Sequence, residues 1–251
     1  LTMHLHTKAL VLRETAYKES DKILTLLTQE QGKLTASARG CRRKGSPLAA
    51  GSQLLVWSDF ILYEYQGRWS VKEAEVEREF RGMREDLDKF SLGCYFGEVT
   101  QALALEGLPS PELLSLILNS LHALDRLDRP LVLVKGAFEL RAMCLAGYEP
   151  VLDACAVCGC QPEEPRFHLR EGVLHCARCR SEVGDGVSMP LDQGALAAMR
   201  HVAYGDPKRL FSFQLEEKSL SAFADVAEAY LLTQLERGFS TLDFYKSLRL
   251  S

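Results

Sequence analysis

Five of the eight cysteines in this 251-residue chain fall between residues 155 and 179, at spacings that suit metal-binding thiolates. Cys155-Ala156-Val157-Cys158 and Cys176-Ala177-Arg178-Cys179 are two CxxC pairs with seventeen residues between them. Two intervening residues let a tight turn aim both sulfurs at one ion about 2.3 Å away, and two such turns complete a tetrahedron. The expected centre is one structural Zn²⁺ on Cys155, Cys158, Cys176 and Cys179. Cys160 and His175 lie near enough to compete for one of the four positions. A catalytic zinc keeps an open position beside three protein ligands, and the HxE plus PCxxC signature of zinc deaminases is absent. Between the pairs, Arg166-Phe167-His168-Leu169 and Val173-Leu174-His175 flank Arg170-Glu171-Gly172 and read as a small hairpin that returns the second pair to the first. So small a unit buries little core, so the metal is expected to supply its stability. Arg166, Arg170, Arg178 and Arg180 stand close enough to offset the charge of four thiolates, or are solvated surface residues.

A second group of residues is suited to binding polyanions. The net charge is only −4, yet no acidic residue lies between Glu30 and Asp59, a window that holds Lys33, Arg39, Arg42, Arg43 and Lys44. The run Arg39-Gly40-Cys41-Arg42-Arg43-Lys44-Gly45 concentrates four of these cations around two glycines. Alone, such a run is an ordinary solvated loop; on a nucleic-acid-binding scaffold it would track phosphates. No GxxxxGK[ST] loop, GxSxG elbow or HExxH helix is present, and His122, His168, His175 and His201 are isolated in sequence, so no enzyme is expected.

The scaffold can be read from periodicity. Ala9–Thr15, Ile23–Thr28, Lys33–Ala38, Leu54–Tyr65 and Trp69–Glu77 are short runs rich in β-branched and aromatic residues, broken by turn-formers. Gln29-Glu30-Gln31-Gly32 and Gln66-Gly67-Arg68 are hairpin connections. Five short strands in this length suit a small barrel, whose loops and one strand face commonly bind oligonucleotides with aromatics as stacking platforms. Tyr17, Trp57, Phe60, Tyr63, Tyr65 and Trp69 are the aromatics at hand. Beyond Phe80 the texture becomes helical. Ser110-Pro111-Glu112 opens a helix with Leu113, Leu116, Ile117, Leu121 and Leu124 on one stripe. Arg129-Pro130 opens another, closed by Gly147 and Pro150, and two more are expected at Leu191–His201 and Ser219–Arg237. The fold class is α+β and multidomain: a five-stranded OB-fold barrel over residues 1–80, then a helical domain over 81–150 and 186–251, interrupted at 151–185 by the four-cysteine zinc-finger module. The apolar runs are too short to span a bilayer, and LTMHLHTKAL lacks the pattern of a secretory leader, so a cytoplasmic protein is expected.

The segment ALVLRETAYKESDKILTLLTQEQGKLTASARGCRRKGS, followed by the two CxxC pairs, resembles the zinc-bearing members of the bacterial recombination mediator family RecO. The resemblance covers nearly the whole chain. It implies an OB-fold, a helical domain with a zinc-finger insertion, binding of single- and double-stranded DNA, and strand annealing. It also implies RecR and single-stranded-DNA-binding protein as partners in recombinational repair, at the nucleoid. By that resemblance Lys33, Arg39, Arg42, Arg43 and Lys44 form the DNA-contacting set. The family's loop often carries further cations, whereas Ser46-Pro47-Leu48-Ala49-Ala50 is neutral here. Two alternatives remain open at this level: a protein-docking adaptor in which the barrel is scaffold, and an RNA-binding OB and zinc module.

Overall fold

The computed structural model describes residues 3–249. Alternating apolar residues produce the expected barrel. Its strands are β1 (Met3–Tyr17), β2 (Asp21–Thr28), β3 (Gly32–Ala38), β4 (Trp57–Tyr65) and β5 (Arg68–Arg78). They close in the order β1-β2-β3-β5-β4, and β4 pairs back with β1. Four of the five pairings are antiparallel; β3 and β5 run parallel and meet only at Ala36–Trp69 and Ser37–Ser70. This is the OB topology, which leaves no exposed sheet edge. Val11, Leu24, Leu26, Leu34, Phe60 and Leu62 fill the interior from alternate positions.

The run Leu54–Val56 is not part of β4. In β1, Leu12 is an extra residue between the register pairs Val11–Leu26 and Arg13–Thr25. Beside that bulge the backbone of Val11 bonds Leu55 N–H (2.8 Å) and Val56 C=O (3.2 Å), and Leu55 takes a left-handed conformation at φ 59°. The chain therefore turns into β4 three residues later than its apolar run begins. Leu55 is fully buried, and it packs under Gly93 and Gly97 of the helix Leu87–Leu103.

Helices follow as α1 (Arg81–Arg84), α2 (Leu87–Leu103), α3 (Pro111–Arg126) and α4 (Leu131–Leu145). Then come the short strands β6 (Arg166–His168), β7 (Val173–His175) and β8 (Ser188–Pro190), and helices α5 (Gln193–Tyr204), α6 (Glu217–Leu235) and α7 (Ser240–Leu248). The compact units group these elements differently from the four segments suggested by texture. One unit comprises residues 1–126 and 239–251, and the other residues 127–238. In the first, α2 lies against β1 and α7 packs on α2, where Glu98 accepts hydrogen bonds from Thr241 N–H (3.2 Å) and Oγ1 (2.5 Å) at the start of α7. In the second, α4 and α6 are joined by Lys135, whose Nζ lies 2.8 Å from Glu139 and 2.7 Å from Glu228. Burial alone would strip the charge from Lys135, but the two carboxylates outweigh it and hold its pKa above the ordinary lysine value. Among the described residues, no helix is long and apolar enough to cross a membrane.

Gly32 opens β3 at φ 63°, and a Cβ there would lie 2.0 Å from the carbonyl oxygen of Leu108. Gly67, at φ 74°, has open space around the same position. Gly67→Ala should therefore cost only the left-handed backbone penalty of about 1–2 kcal/mol, and Gly32→Ala clearly more. Both tryptophans, Trp57 and Trp69, lie in the barrel, so urea unfolding followed by their fluorescence reads this directly. Equal losses for the two variants would refute the close approach of the 105–108 segment to β3.

Candidate functional site

The cysteine cluster is assembled by two backbone turns and a three-stranded sheet in the order β7-β6-β8. In the first turn Cys155 C=O accepts from Gly159 N–H (2.9 Å) while Cys155 N–H donates to Cys160 C=O (2.9 Å), a closure that uses the positive φ of Gly159. Ala156 N–H donates to Leu174 C=O (2.9 Å), which fixes this turn beside β7. The second turn begins directly after β7, with Cys179 N–H donating to Cys176 C=O (3.2 Å), and continues as a 3-10 helix over Ala177–Glu182. Cys176 N–H donates to the Cys155 sulfur at 3.4 Å, and the Cys158 sulfur lies 3.9 Å from that of Cys176 and 3.4 Å from that of Cys160.

The sulfurs of Cys155, Cys158, Cys160 and Cys176 all lie within 4.8 Å of one another, close enough to hold a metal ion. Cys179 is buried in the same cluster, and its thiol interacts with Cys176, Cys158 and Cys155. Sequence spacing pointed to Cys155, Cys158, Cys176 and Cys179; the mutually close set holds the first three with Cys160, and Cys179 lies beside them in the same buried cluster. His175 is differently engaged. Its Nδ1 lies 3.1 Å from Cys176 C=O and its Nε2 2.7 Å from Ser188 Oγ, so the carbonyl fixes the proton on Nδ1 and Nε2 accepts from the hydroxyl. Both ring nitrogens are therefore occupied, one at the second turn and the other at β8.

Electrostatics favour thiolate at Cys155 and Cys176. Burial opposes ionisation of Cys155, but hydrogen bonds from the backbone of Cys158, Cys176 and Val157 outweigh it and lower its pKa. Burial likewise works against Cys176, and the backbone of Cys179 and Arg178 with the Cys179 and Cys158 thiols brings its pKa down to about 6. Cys160 is pushed up to about 11, chiefly by its hydrogen bond to Cys158, and Cys179 is raised by burial and by its sulfur neighbours. Arg178 hydrogen-bonds the Cys176 sulfur and its pKa is raised in return, so one of the four nearby arginines does offset thiolate charge. The soft, closely spaced donor set fits a thiophilic ion.

The module also has an apolar anchor that spacing did not suggest. Phe167 is fully buried and meets Tyr230 of α6 edge to face, with centroids 5.1 Å apart. Tyr230 donates to Tyr148 C=O (3.0 Å), and Gln234 Nε2 donates to the carbonyls of Leu169 and Arg170 (2.8 and 2.9 Å).

On the barrel, the segment after β3 is pinned from below. Gly40 N–H donates to Asp21 (2.7 Å) and holds that carboxyl below its usual pKa; Arg42 N–H donates to Ser20 C=O (2.9 Å), and the buried Cys41 side chain joins the barrel core. Arg39, Arg42, Arg43 and Lys44 are left exposed, and none of them is in an ion pair among the described residues. Lys33 stands apart from them. It lies at the opposite end of β3, about 20 Å along the strand from Arg39, with its Nζ donating to Gln101 C=O at 3.0 Å. Next to the loop, a groove of 630 Å³ runs over the β3–β5 junction, and Tyr17, Lys18, Arg39, Arg68 and Trp69 line it. Lys18 and Arg68 lie at turns and escaped the sequence reading. Barrel closure, which places the β4–β5 turn beside the end of β3, is the signal that finds them. Of the other aromatics, Phe60 is core and Tyr65 is exposed.

Fold and site together define a class: an OB-barrel protein whose second compact unit carries a thiol cluster. Family models described as Recombination protein O N terminal and C terminal match residues 3–80 and 84–243. The chain is 31% identical over 247 residues to a DNA repair protein RecO of Acetivibrio thermocellus, covering 98% of this chain and 97% of the relative. It is 32% identical over 244 residues to that of Symbiobacterium thermophilum, with 96% of each chain covered. This chain belongs to the RecO family of DNA repair proteins, which is not a family of catalytic enzymes.

Removing the Phe167 ring should cost about 3–5 kcal/mol locally. Phe167→Ala is expected to make residues 155–190 sensitive to limited proteolysis even with metal supplied, while the tryptophan-detected barrel transition stays in place. Full protease resistance of that variant would mean that metal ligation alone holds the module.

Proposed function

We propose that the protein binds single- and double-stranded DNA on its barrel, promotes annealing, and helps load recombinase together with RecR and single-stranded-DNA-binding protein. It does so in the cytoplasm, at the nucleoid. The observation that carries this reading is the groove containing Tyr17 and Trp69, which runs into an exposed loop whose four cations form no ion pair among the described residues. Aromatic faces stack bases without regard to sequence, and guanidinium and ammonium groups neutralise phosphates. Annealing brings two polyanions together, so a cationic surface that screens both while leaving bases unpaired lowers the barrier. Arg39, Arg42, Arg43 and Lys44 take the phosphate role, joined by Lys18 and Arg68. Lys33, held against Gln101, serves the barrel's attachment to the 101–107 segment rather than DNA.

The thiol cluster holds one structural Zn²⁺. Zinc ties the 155–160 turn to the 176–179 turn and lends folding energy to residues 151–190, alongside the Phe167–Tyr230 contact. Chelation is then expected to unfold this module and leave the barrel and its DNA binding intact.

Two changes separate phosphate from base contacts. With a fluorescent single-stranded oligonucleotide, replacing Arg39, Arg42, Arg43 and Lys44 by Ala should flatten the slope of log K against log salt by about 0.7 per lost contact, nearly three in all. Trp69→Ala should weaken binding by about 1–3 kcal/mol with the slope unchanged. If neither variant differs from the parent, DNA does not use this face, and an adaptor role takes precedence. Tighter binding of a matched RNA oligonucleotide would instead favour an RNA-binding module.

A further inference from the structure

Five thiols converge where a tetrahedral ion takes four. Cys155, Cys158 and Cys176 are common to two of the quartets that five thiols allow. Cys160 completes one, since all four sulfurs lie within 4.8 Å of one another. Cys179 completes the other, by its CxxC spacing from Cys176 and its place in one buried cluster with Cys155 and Cys176. Sulfurs bound to one zinc at about 2.3 Å stand roughly 3.8 Å apart in a tetrahedron. The 3.9 Å between Cys158 and Cys176 already matches this, and the 3.4 Å between Cys158 and Cys160 has only to open slightly.

Each candidate for the fourth position is placed by a backbone turn of its own. Cys160 is held by the hydrogen bond from Cys155 N–H to its carbonyl, and Cys179 by its N–H bond to Cys176 C=O. Cys160 is half-buried and Cys179 is buried, so one faces the ion from the rim and the other from beneath. Taking both at once would put five thiolates, a net charge of −3, on one small ion.

We propose that Cys160 and Cys179 share a single coordination position, the metal exchanging between a set completed by Cys179 and a set completed by Cys160. The exchange involves no oxidation: the incoming thiol gives up its proton as it binds, and the departing thiolate takes one up. The inference rests on the metal reading above and adds a second, interchangeable ligand set. A site built in this way keeps full thiolate ligation when either residue is lost, and it gives the ion a route to move between partners without leaving the protein.

Cobalt titration of the full chain under anaerobic, reducing conditions tests this, because the ligand-field bands report the number of thiolates. Cys160→Ser and Cys179→Ser should each bind one Co²⁺ with the four-thiolate spectrum of the parent, and the double variant should lose that spectrum. If one single variant keeps four thiolates while the other drops to three, the fourth ligand is fixed and the proposal fails. Cadmium-113 resonance of the unsubstituted protein gives a check that needs no variant to fold. Two lines, or one whose width or position changes on cooling, are expected; a single line that stays sharp and fixed on cooling would overturn the sharing. A parent that binds neither Co²⁺ nor Zn²⁺ would sink the metal reading itself, and it is tested before any variant is made.

Discussion

Closure of the barrel through β3 and β5 is the constraint on which the DNA-binding reading depends. Only two residue pairs make this parallel contact, Ala36 with Trp69 and Ser37 with Ser70, and the two serine hydroxyls lie 3.0 Å apart. Every other strand pair is antiparallel and extends over seven or more register pairs. The sparse junction is where the sheet surface opens into a groove, because strands that meet briefly and diverge leave space between them. The same pairing sets Trp69 next to the end of β3, and so sets a stacking face next to Arg39. A longer β3–β5 ladder would close the barrel more firmly and fill the space that a base needs.

The second unit solves a different problem, which is to bury charge. Lys135 sits between Glu139 and Glu228 with almost no exposure, and the thiol cluster gathers four ionisable sulfurs within 4.8 Å of one another, with Cys179 buried beside them. Buried charges survive only when paired or coordinated. For the lysine, the pairing is supplied by the protein. For the thiols, the protein supplies backbone N–H donors and Arg178, which is a partial answer, and the sulfurs lie close enough together to take the rest from a metal ion. Phe167 and Tyr230 show that the module is not left to the ion alone, contrary to the expectation drawn from its small size. Their contact gives the sheet a fixed seat on α6.

Much of this was legible in the sequence because it is local. Runs of β-branched and aromatic residues broken by turn-formers marked five strands, Ser110-Pro111 marked the start of α3, and matched CxxC pairs marked the cluster. What escaped depends on contacts between distant residues. Leu54–Val56 has strand composition, but the bulge at Leu12 claims its backbone and turns Leu55 into the left-handed region. Helix α2 shows no apolar stripe because it is buried around most of its circumference, with Ser91, Gly93 and Gly97 at buried positions that a stripe would give to large residues. Lys18 and Arg68 look like ordinary turn residues until the barrel closes and brings them to one groove.

Lys33 makes the limit of sequence adjacency plain. It shares an acid-free window with Arg39, Arg42, Arg43 and Lys44, so composition treats the five as one basic patch. A strand, however, converts a gap of six residues into about 20 Å, and it sends the two ends to opposite mouths of the barrel. At one mouth the chain continues as a glycine-bearing loop, where Asp21 accepts from the Gly40 N–H and, among the described residues, forms no ion pair with the loop cations. At the other, the Lys33 N–H and C=O bond Leu105 and Gly107 while its ammonium reaches Gln101 C=O, so backbone and side chain together splint β3 to the chain that follows α2. The same side-chain chemistry thus acts as a structural tie at one end of β3 and is left available for phosphate at the other. The difference lies in which groups the fold has already given it as partners.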